Sequence, residues 1–282
     1  MPATGNNHHI TLTLSIRLSA DGFCFIVCNP QENSLIRMER FAVKAGESMS
    51  DRLLHELSKP EYFNHSIDQV FVLSSSPSTR IPIEEFRREE AQMLYELTFS
   101  NLDFSRIHVT YNILPRLEAV ELYSIPRDIE DIIVQFYPTA RYFGTNAMLL
   151  ERLLHLEEES TSKDKRLYLC TLPEHLALFH FRDGALQYAN TFKVGTVNDA
   201  VYMILYTWNT LKLNAEADHL ITFTNEMPST HSISNTSRLT KVLSDYIAHV
   251  ETLTPAQLFP RIPIAHEKEI PVDLLALLLN RL

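Results

Sequence analysis

Short apolar segments separated by tight turns form the first recognisable pattern in the chain. Residues Thr11 to Asn29 contain two strand-like segments, TLTLSIRLS and FCFIVCN, joined by Ala20-Asp21-Gly22. A third segment follows at Leu35 to Val43. Glycine in the connection supplies the positive φ that a tight hairpin favours. The pattern predicts a meander of three antiparallel strands.

The same pattern returns in the second half of the chain. Three further strands are predicted at Arg166–Thr171, Leu176–Phe181 and Leu186–Val194. The last two are joined by Arg182-Asp183-Gly184, and an Asp-Gly pair between apolar runs is a strong hairpin signal. The sequence therefore predicts a second meander.

Each predicted meander is followed by a helix and then by a buried strand. Ser48 and Asp51 are three residues apart, as are Thr196 and Asp199, a spacing close to that of the capping box that begins a helix. The apolar stripes of the two helices are Leu53, Leu54 and Leu57 in the first, and Val201, Ile204, Leu205, Trp208 and Leu211 in the second. The buried strands are predicted at Gln69–Ser74 and His219–Thr224.

Matching landmarks of the two halves are separated by nearly constant offsets. Phe41 and Phe192 are 151 residues apart, and Val70 and Leu220 are 150 apart. Several strands are apolar on both faces, which suits a sheet covered by helices on each side. We therefore predict an α/β protein with an internal duplication, in which mixed sheets are flanked by helices.

The predicted domains are separated by a polar, charged segment. We place the first domain at 1–156, with an insertion at about 77–142, the linker at 157–165, and the second domain at 166–282. The remaining predicted helices are Ile83–Leu97, Asn235–Ile247 and Pro271–Leu282, and the remaining strands are Ile107–Asn112 and Leu117–Tyr123.

Charge and composition narrow the classes of function. The formal net charge is -10 and the pI is near 5.6, which disfavours direct binding of nucleic acid because a phosphate backbone requires a basic face. No apolar run is long enough for a membrane span, and the first residues do not resemble a signal peptide, so we expect a cytoplasmic protein. Cys24, Cys28 and Cys170 are interpreted as buried structural thiols, and no metal site is expected.

The repeated meander, helix and strand resemble the actin-like ATPase superfamily with its ribonuclease H-like domains. The segments LTLSIRLSADGFCF and LALFHFRDGALQYANTF are similar to an uncharacterised Bacteroidetes-type family of unknown function in that superfamily. A more distant similarity links the chain to the assembly proteins PilM and GspL. The resemblance covers most of the chain and implies two actin-like domains.

The resemblance also implies where a nucleotide would bind. In active members each meander's first hairpin carries a phosphate loop, whose backbone N–H groups cradle the phosphates. Here the first hairpin offers Ser19, Asp21 and Gly22, and the second runs from Thr171 to His175 and contains Pro173, which has no N–H. The segment that corresponds to the adenosine loop, Asn225 to Ser229, has no glycine. We therefore predict no catalytic residues and no cofactor, and ATP with Mg²⁺ is disfavoured.

Five residues are kept as candidates for ligand binding in a cleft between the two predicted domains: Ser19, Asp21, Gly22, Thr171 and Glu174. The alternative interpretation of Asp21-Gly22 is a hairpin turn without a ligand. The apolar run from Val272 to Leu279 also has two interpretations: it packs on the second sheet, or it is a helix that binds a partner.

Two functions follow from these observations. The first is a noncatalytic, actin-like protein that binds another protein as a scaffold or regulator. The alternative is a divergent ATPase-like or kinase-like protein that still binds a nucleotide or another phosphorylated ligand. Direct RNA binding, a third possibility, is disfavoured by the net charge.

Overall fold

The structure is a computed structural model that describes residues 12–32, 34–44, 46–60, 67–160, 162, 164–172, 175–225, 236–267 and 270–279. The chain divides into two compact units, residues 1–147 and 148–281. The division lies within a helix, and the predicted domain limits of 1–156 and 166–282 with their linker stay predictions.

The first unit begins with the predicted meander, formed by β1 (Leu12–Ser19), β2 (Gly22–Asn29) and β3 (Ser34–Ala42). All neighbouring pairs in this meander are antiparallel. Every residue of β2 is buried, which explains why its sequence is apolar on both faces. The prediction of three antiparallel strands is confirmed.

The helix α1 (Met49–Leu57) begins where the sequence predicts, because the Ser48 hydroxyl accepts a hydrogen bond from the backbone N–H of Asp51. Leu53 and Leu57 are fully buried, whereas Leu54 is 39% exposed. The predicted inclusion of Leu54 in the buried stripe is therefore wrong. The helix leads to β4 (Ile67–Ser74), which pairs with β1 in parallel.

The insertion forms a separate three-stranded antiparallel sheet with the order β5-β7-β6. Its elements are β5 (Thr79–Pro82), α2 (Ala91–Thr98), β6 (Ile107–Leu114) and β7 (Ala119–Pro126). The helix predicted at Ile83–Leu97 is too long at its start. Ile83 donates its N–H to the Glu118 carbonyl, which holds this part of the chain against the sheet, and α2 begins only at Ala91.

Further elements were not predicted from the sequence: α3 (Arg127–Phe136) and β8 (Arg141–Gly144) in the first unit, and α4 (Thr145–Glu159), which runs from the first unit into the second. With β8 the main sheet has the order β3-β2-β1-β4-β8. Ile129 and Ile133 of α3 join Leu53 and Leu57 of α1 in the core on one face of this sheet. Helix α4 contains the division between the units.

The main sheet of the second unit has the order β11-β10-β9-β12-β13. Its elements are β9 (Arg166–Leu172), β10 (His175–Arg182), β11 (Ala185–Lys193), α5 (Val197–Thr210), β12 (His219–Thr224), α6 (Thr236–Leu243) and β13 (His249–Thr252). As in the first unit, the fourth strand, here β12, pairs with the first in parallel. Both main sheets are therefore mixed, as predicted.

Local signals of the second unit are confirmed in detail. Asp183 and Gly184 both have positive φ angles, 53° and 76°, as the predicted hairpin requires. Thr196 and Asp199 form a complete capping box, in which each side chain accepts a hydrogen bond from the other residue's backbone N–H. The five residues of the predicted α5 stripe are all buried or partly buried in one core cluster.

The C-terminal part of the chain adds α7 (Pro255–Leu258), α8 (Ile264–Glu267) and α9 (Val272–Leu279). Residues 272–278 are buried, and the backbone N–H of Asp273 donates a hydrogen bond to the Asn225 side chain directly after β12. This burial disfavours a helix that is free to bind a partner, and packing of α9 on the second sheet stays a prediction.

Candidate functional site

The first hairpin holds three of the five predicted ligand-binding residues in one tight turn. Antiparallel pairing extends to Ser19 and Gly22, so only Ala20 and Asp21 connect the strands. The Ser19 hydroxyl lies 2.8 Å from Asp21 Oδ1 and 3.1 Å from the Gly22 carbonyl oxygen, and its single O–H can donate to either acceptor. The Asp21 carboxylate is exposed and serves as a local cap of the turn.

Strand β3 closes over the same turn from the side. The backbone N–H of Val43 donates to the Asp21 carbonyl at 2.9 Å, and a β-carbon on Gly22 would lie 2.1 Å from the Phe41 carbonyl oxygen. A phosphate cradle needs several successive N–H groups that converge on one point. A two-residue turn that presents a carboxylate to solvent does not provide one, and its negative charge disfavours an anion.

Thr171 lies in the second unit, near the end of β9, and is 7% exposed. Its hydroxyl donates to the Phe223 carbonyl at 3.5 Å, and its own carbonyl accepts the N–H of Asn225 at 3.0 Å. These contacts tie β9 to β12. Pro173 and Glu174, which complete the predicted second loop, lie outside the described residues.

The segment predicted to correspond to an adenosine loop begins at Asn225, and residues 226–229 lie outside the described part of the chain. Asn225 is fully buried, and its side-chain oxygen accepts the Asp273 N–H at 2.9 Å. Its backbone N–H donates to the Thr171 carbonyl, and in the first unit the backbone N–H of Ser75 donates in the same way to the Leu18 carbonyl at 3.1 Å. Asn225 thus holds the start of α9 and serves the packing of the second unit.

A pocket of about 370 Å³ lies in the second unit between α6 and β13. Its lining is rich in hydroxyl groups and contains one amine: Thr236, Ser237, Thr240, Lys241, Ser244, Val250 and Thr252. These residues are not among the candidates predicted from the sequence. The spacing of Ser237, Lys241 and Ser244 on one face of the predicted helix is a signal that could have indicated them.

The insertion buries a carboxyl group away from the hairpins. Glu121 of β7 has no exposed surface, and its Oε1 lies 3.4 Å from a guanidinium nitrogen of Arg80. Burial raises the pKa of Glu121, while Arg80 and Ser78 oppose this shift. The sequence does not reveal this burial. Glu121 stands between apolar residues on a predicted strand, an alternation that would place its side chain on a polar, exposed face.

The described residues contain no group of three or more His, Cys, Asp or Glu side chains arranged to hold a metal ion. The three cysteines are buried and none is in a disulfide, and burial raises the pKa of Cys28 to about 12. In the part of the chain that the structure describes, no helix is both long enough and apolar enough to cross a membrane.

Comparison with known proteins identifies a family and similar solved structures. A family model described as "Protein of unknown function (DUF3822)" matches residues 6–250. No curated protein matches the chain significantly.

Two solved structures are similar over nearly the whole chain. A Bacteroides thetaiotaomicron protein with an actin-like ATPase fold and unknown function is 25% identical, with 96% of each chain covered and a TM-score of 0.78. A chain of the PilM-PilN type IV pilus biogenesis complex is 11% identical, with 96% of this chain and 98% of that chain covered and a TM-score of 0.55. The protein therefore has the actin-like ATPase fold predicted from its sequence.

Proposed function

The chain belongs to the DUF3822 family of proteins of unknown function, and from this premise we propose that it is a noncatalytic, actin-like protein that binds another protein as a scaffold or regulator. The observation that carries the proposal is the first hairpin. Its two-residue turn is closed by β3 and presents the exposed carboxylate of Asp21, which is unsuitable for holding a nucleotide phosphate.

A fold that lacks its usual phosphate loop still provides rigid surfaces. The two main sheets have matching strand orders, which favours an internal duplication that preserved the architecture. The similar PilM chain was solved in a complex with PilN, which gives a precedent for protein binding by this fold. A cytoplasmic location, expected from the sequence, is part of the same proposal.

Isothermal titration calorimetry with ATP and Mg²⁺, together with a phosphate-release assay, tests the noncatalytic part of the proposal. We expect neither binding heat nor hydrolysis. Tight, magnesium-dependent ATP binding accompanied by hydrolysis would refute it. The variant Asp21→Asn serves as a matched probe: if the turn does hold a phosphate, removal of the negative charge changes the affinity, whereas a structural turn leaves the titration unchanged.

The pocket between α6 and β13 favours a second candidate function, the binding of a small phosphorylated ligand. Lys241 supplies a positive charge, and Thr236, Ser237 and Ser244 supply hydroxyl groups that hydrogen-bond phosphate or sugar oxygens. The pocket is separate from the hairpins, so ligand binding there would need no phosphate loop.

Thermal unfolding measured across a panel of nucleotides and sugar phosphates tests this second candidate. A ligand that binds the folded state raises the melting temperature, and Lys241→Ala should abolish that increase. Lys212→Ala, which removes an exposed lysine outside the pocket lining, is the matched control. An unchanged melting temperature across the whole panel would argue against the candidate.

A further inference from the structure

Helix α2 of the insertion exposes two large apolar side chains on its outer face. Leu97 is 74% exposed and Met93 is 52% exposed. They are four residues apart and are therefore neighbours on the helix surface. We call this pair the α2 ridge. Met93 and Leu97 are not needed to pack α2, because the helix is held against the insertion sheet by its buried residues Ala91 and Tyr95.

Three carboxylates flank the α2 ridge. Glu89 and Glu90 precede Met93 by one helical turn and are exposed. Glu96 follows Met93 by three residues and is therefore its neighbour on the helix surface, and its Oε1 accepts a hydrogen bond from the Gln92 amide at 2.8 Å. The neighbouring Arg87 directs its guanidinium to the carbonyl oxygens of Glu84 and Phe86, so it contacts the main chain. The ridge is apolar with an acidic border.

Helix α2, which carries the ridge, is fixed to the rest of the insertion by contacts of Tyr95. The Tyr95 hydroxyl donates to the Pro77 carbonyl at 2.7 Å and contacts the Ser124 hydroxyl at 3.1 Å. The Tyr95 and Phe99 rings pack with their centroids 4.7 Å apart. A surface on a fixed helix loses little conformational entropy when a partner binds, which favours recognition.

We propose that the α2 ridge and its carboxylates bind a basic amphipathic segment of a partner protein. Apolar side chains of that segment would cover Met93 and Leu97, and its Lys or Arg side chains would face Glu89, Glu90 and Glu96. A second copy of this chain is a poorer occupant of the site, since the acidic border would face another acidic border and the chain carries a net charge of -10. The inference rests on the proposed function of protein binding and locates the binding surface.

The test uses the full chain and a fluorescent synthetic peptide with leucines at helical spacing and lysines elsewhere. Fluorescence anisotropy should detect binding that weakens with added salt. We expect the double variant Met93→Gln/Leu97→Gln to weaken binding by at least about tenfold, and Glu89→Lys/Glu90→Lys to do the same. All four positions are exposed, and glutamine and lysine are good helix formers, so these variants should retain the fold.

Matched controls separate the ridge from nonspecific attraction to an acidic protein. Tyr202→Gln/Tyr206→Gln removes another exposed apolar pair, on α5, and should leave the affinity unchanged. A peptide with glutamate in place of lysine should not bind. Equal affinity for the wild-type chain and both ridge variants would overturn the inference, as would the absence of peptide binding.

Two further outcomes separate this inference from the proposed function. If analytical ultracentrifugation shows self-association that the ridge variants abolish, the occupant is a second copy and the inference is wrong. If peptide binding fails while ATP binding is also absent, the ridge assignment is overturned and the noncatalytic proposal stands. ATP hydrolysis would refute the proposed function whatever the peptide does.

Discussion

Gly22 packs directly against the carbonyl oxygen of Phe41. A β-carbon on Gly22 would lie 2.1 Å from that oxygen, and the φ angle of Gly22 is 148°, which residues with a side chain rarely adopt. The contact lets β3 pair beside β2 up to the turn, where Gly22 is opposite Ala42. Gly22 is a predicted ligand-binding residue, but the close approach of β3 is sufficient to explain why a glycine stands at this position.

We expect Gly22→Ala to lower the free energy of unfolding by about 2–4 kcal/mol, because the methyl group meets backbone atoms and the conformation is strained. Gly184→Ala is the matched control, since Gly184 also has a positive φ but has nothing within 4 Å of an added β-carbon. Its cost should be about 1 kcal/mol, from backbone strain alone. Urea unfolding monitored by circular dichroism measures both, and equal losses would contradict the argument.

Adjacent leucines of α1 offer a second matched pair. Leu53 has no exposed surface and belongs to the core of the first unit, whereas Leu54 is 39% exposed. Truncation of a buried leucine leaves a cavity, so Leu53→Ala should cost about 3 kcal/mol. Leu54→Ala should cost less than about 1 kcal/mol. Chemical denaturation distinguishes them, and similar costs would show that the two leucines are equally important for packing.

The buried carboxyl group of Glu121 should make stability depend on pH. Burial raises its folded-state pKa above the ordinary value of 4.5, so the folded protein holds the proton more tightly than the unfolded chain. The resulting stabilisation is complete below the unfolded pKa and is lost as pH rises through the raised folded pKa. We expect Glu121→Gln to gain stability relative to the wild type as pH rises from mildly acidic to neutral.

The measurement is the free energy of unfolding in urea at several pH values. Glu85→Gln, which changes an exposed glutamate before α2, is the control and should follow the wild-type curve. Parallel curves for the wild type and Glu121→Gln would mean that Glu121 has the same pKa in the folded and unfolded states.

The thiol groups should be unreactive in the folded protein. Cys24 and Cys28 are each 2% exposed, Cys170 is fully buried, and burial raises the pKa of Cys28 to about 12. Because the thiolate is the reactive species, a thiol reagent at mildly alkaline pH should modify none of them until denaturant is added. Mass spectrometry counts the modified residues. Rapid modification of the folded chain would show that these strands open readily.

Much of the fold could be predicted because its signals are local. The Asp183-Gly184 turn and the capping box of Thr196 and Asp199 depend on residues close together in sequence, and both occur as expected. Elements that depend on distant partners were missed or misplaced. The short strand β8 is defined by parallel pairing with β4, and α2 starts late because Ile83 is bound to Glu118 across the insertion sheet.

The candidate site also has a part that could be predicted from the sequence and a part that depends on distant contacts. The turn of Ser19, Asp21 and Gly22 is predicted from its sequence, but its closure depends on Phe41 of β3 and on Val43 directly after that strand. The pocket beside Lys241 requires β13 next to α6, and the α2 ridge is defined by exposure, which alternation of residue types does not reveal.

The sequence by itself determined the two meanders and the capped helices, since turns, caps and strand periodicity arise from neighbouring residues. Only the tertiary structure decided that the Asp21 turn is closed by β3, that Asn225 holds the start of α9, and that Met93 and Leu97 stay exposed. Each of these depends on residues far apart in the chain, because burial and hydrogen bonding are set by whichever segments pack together.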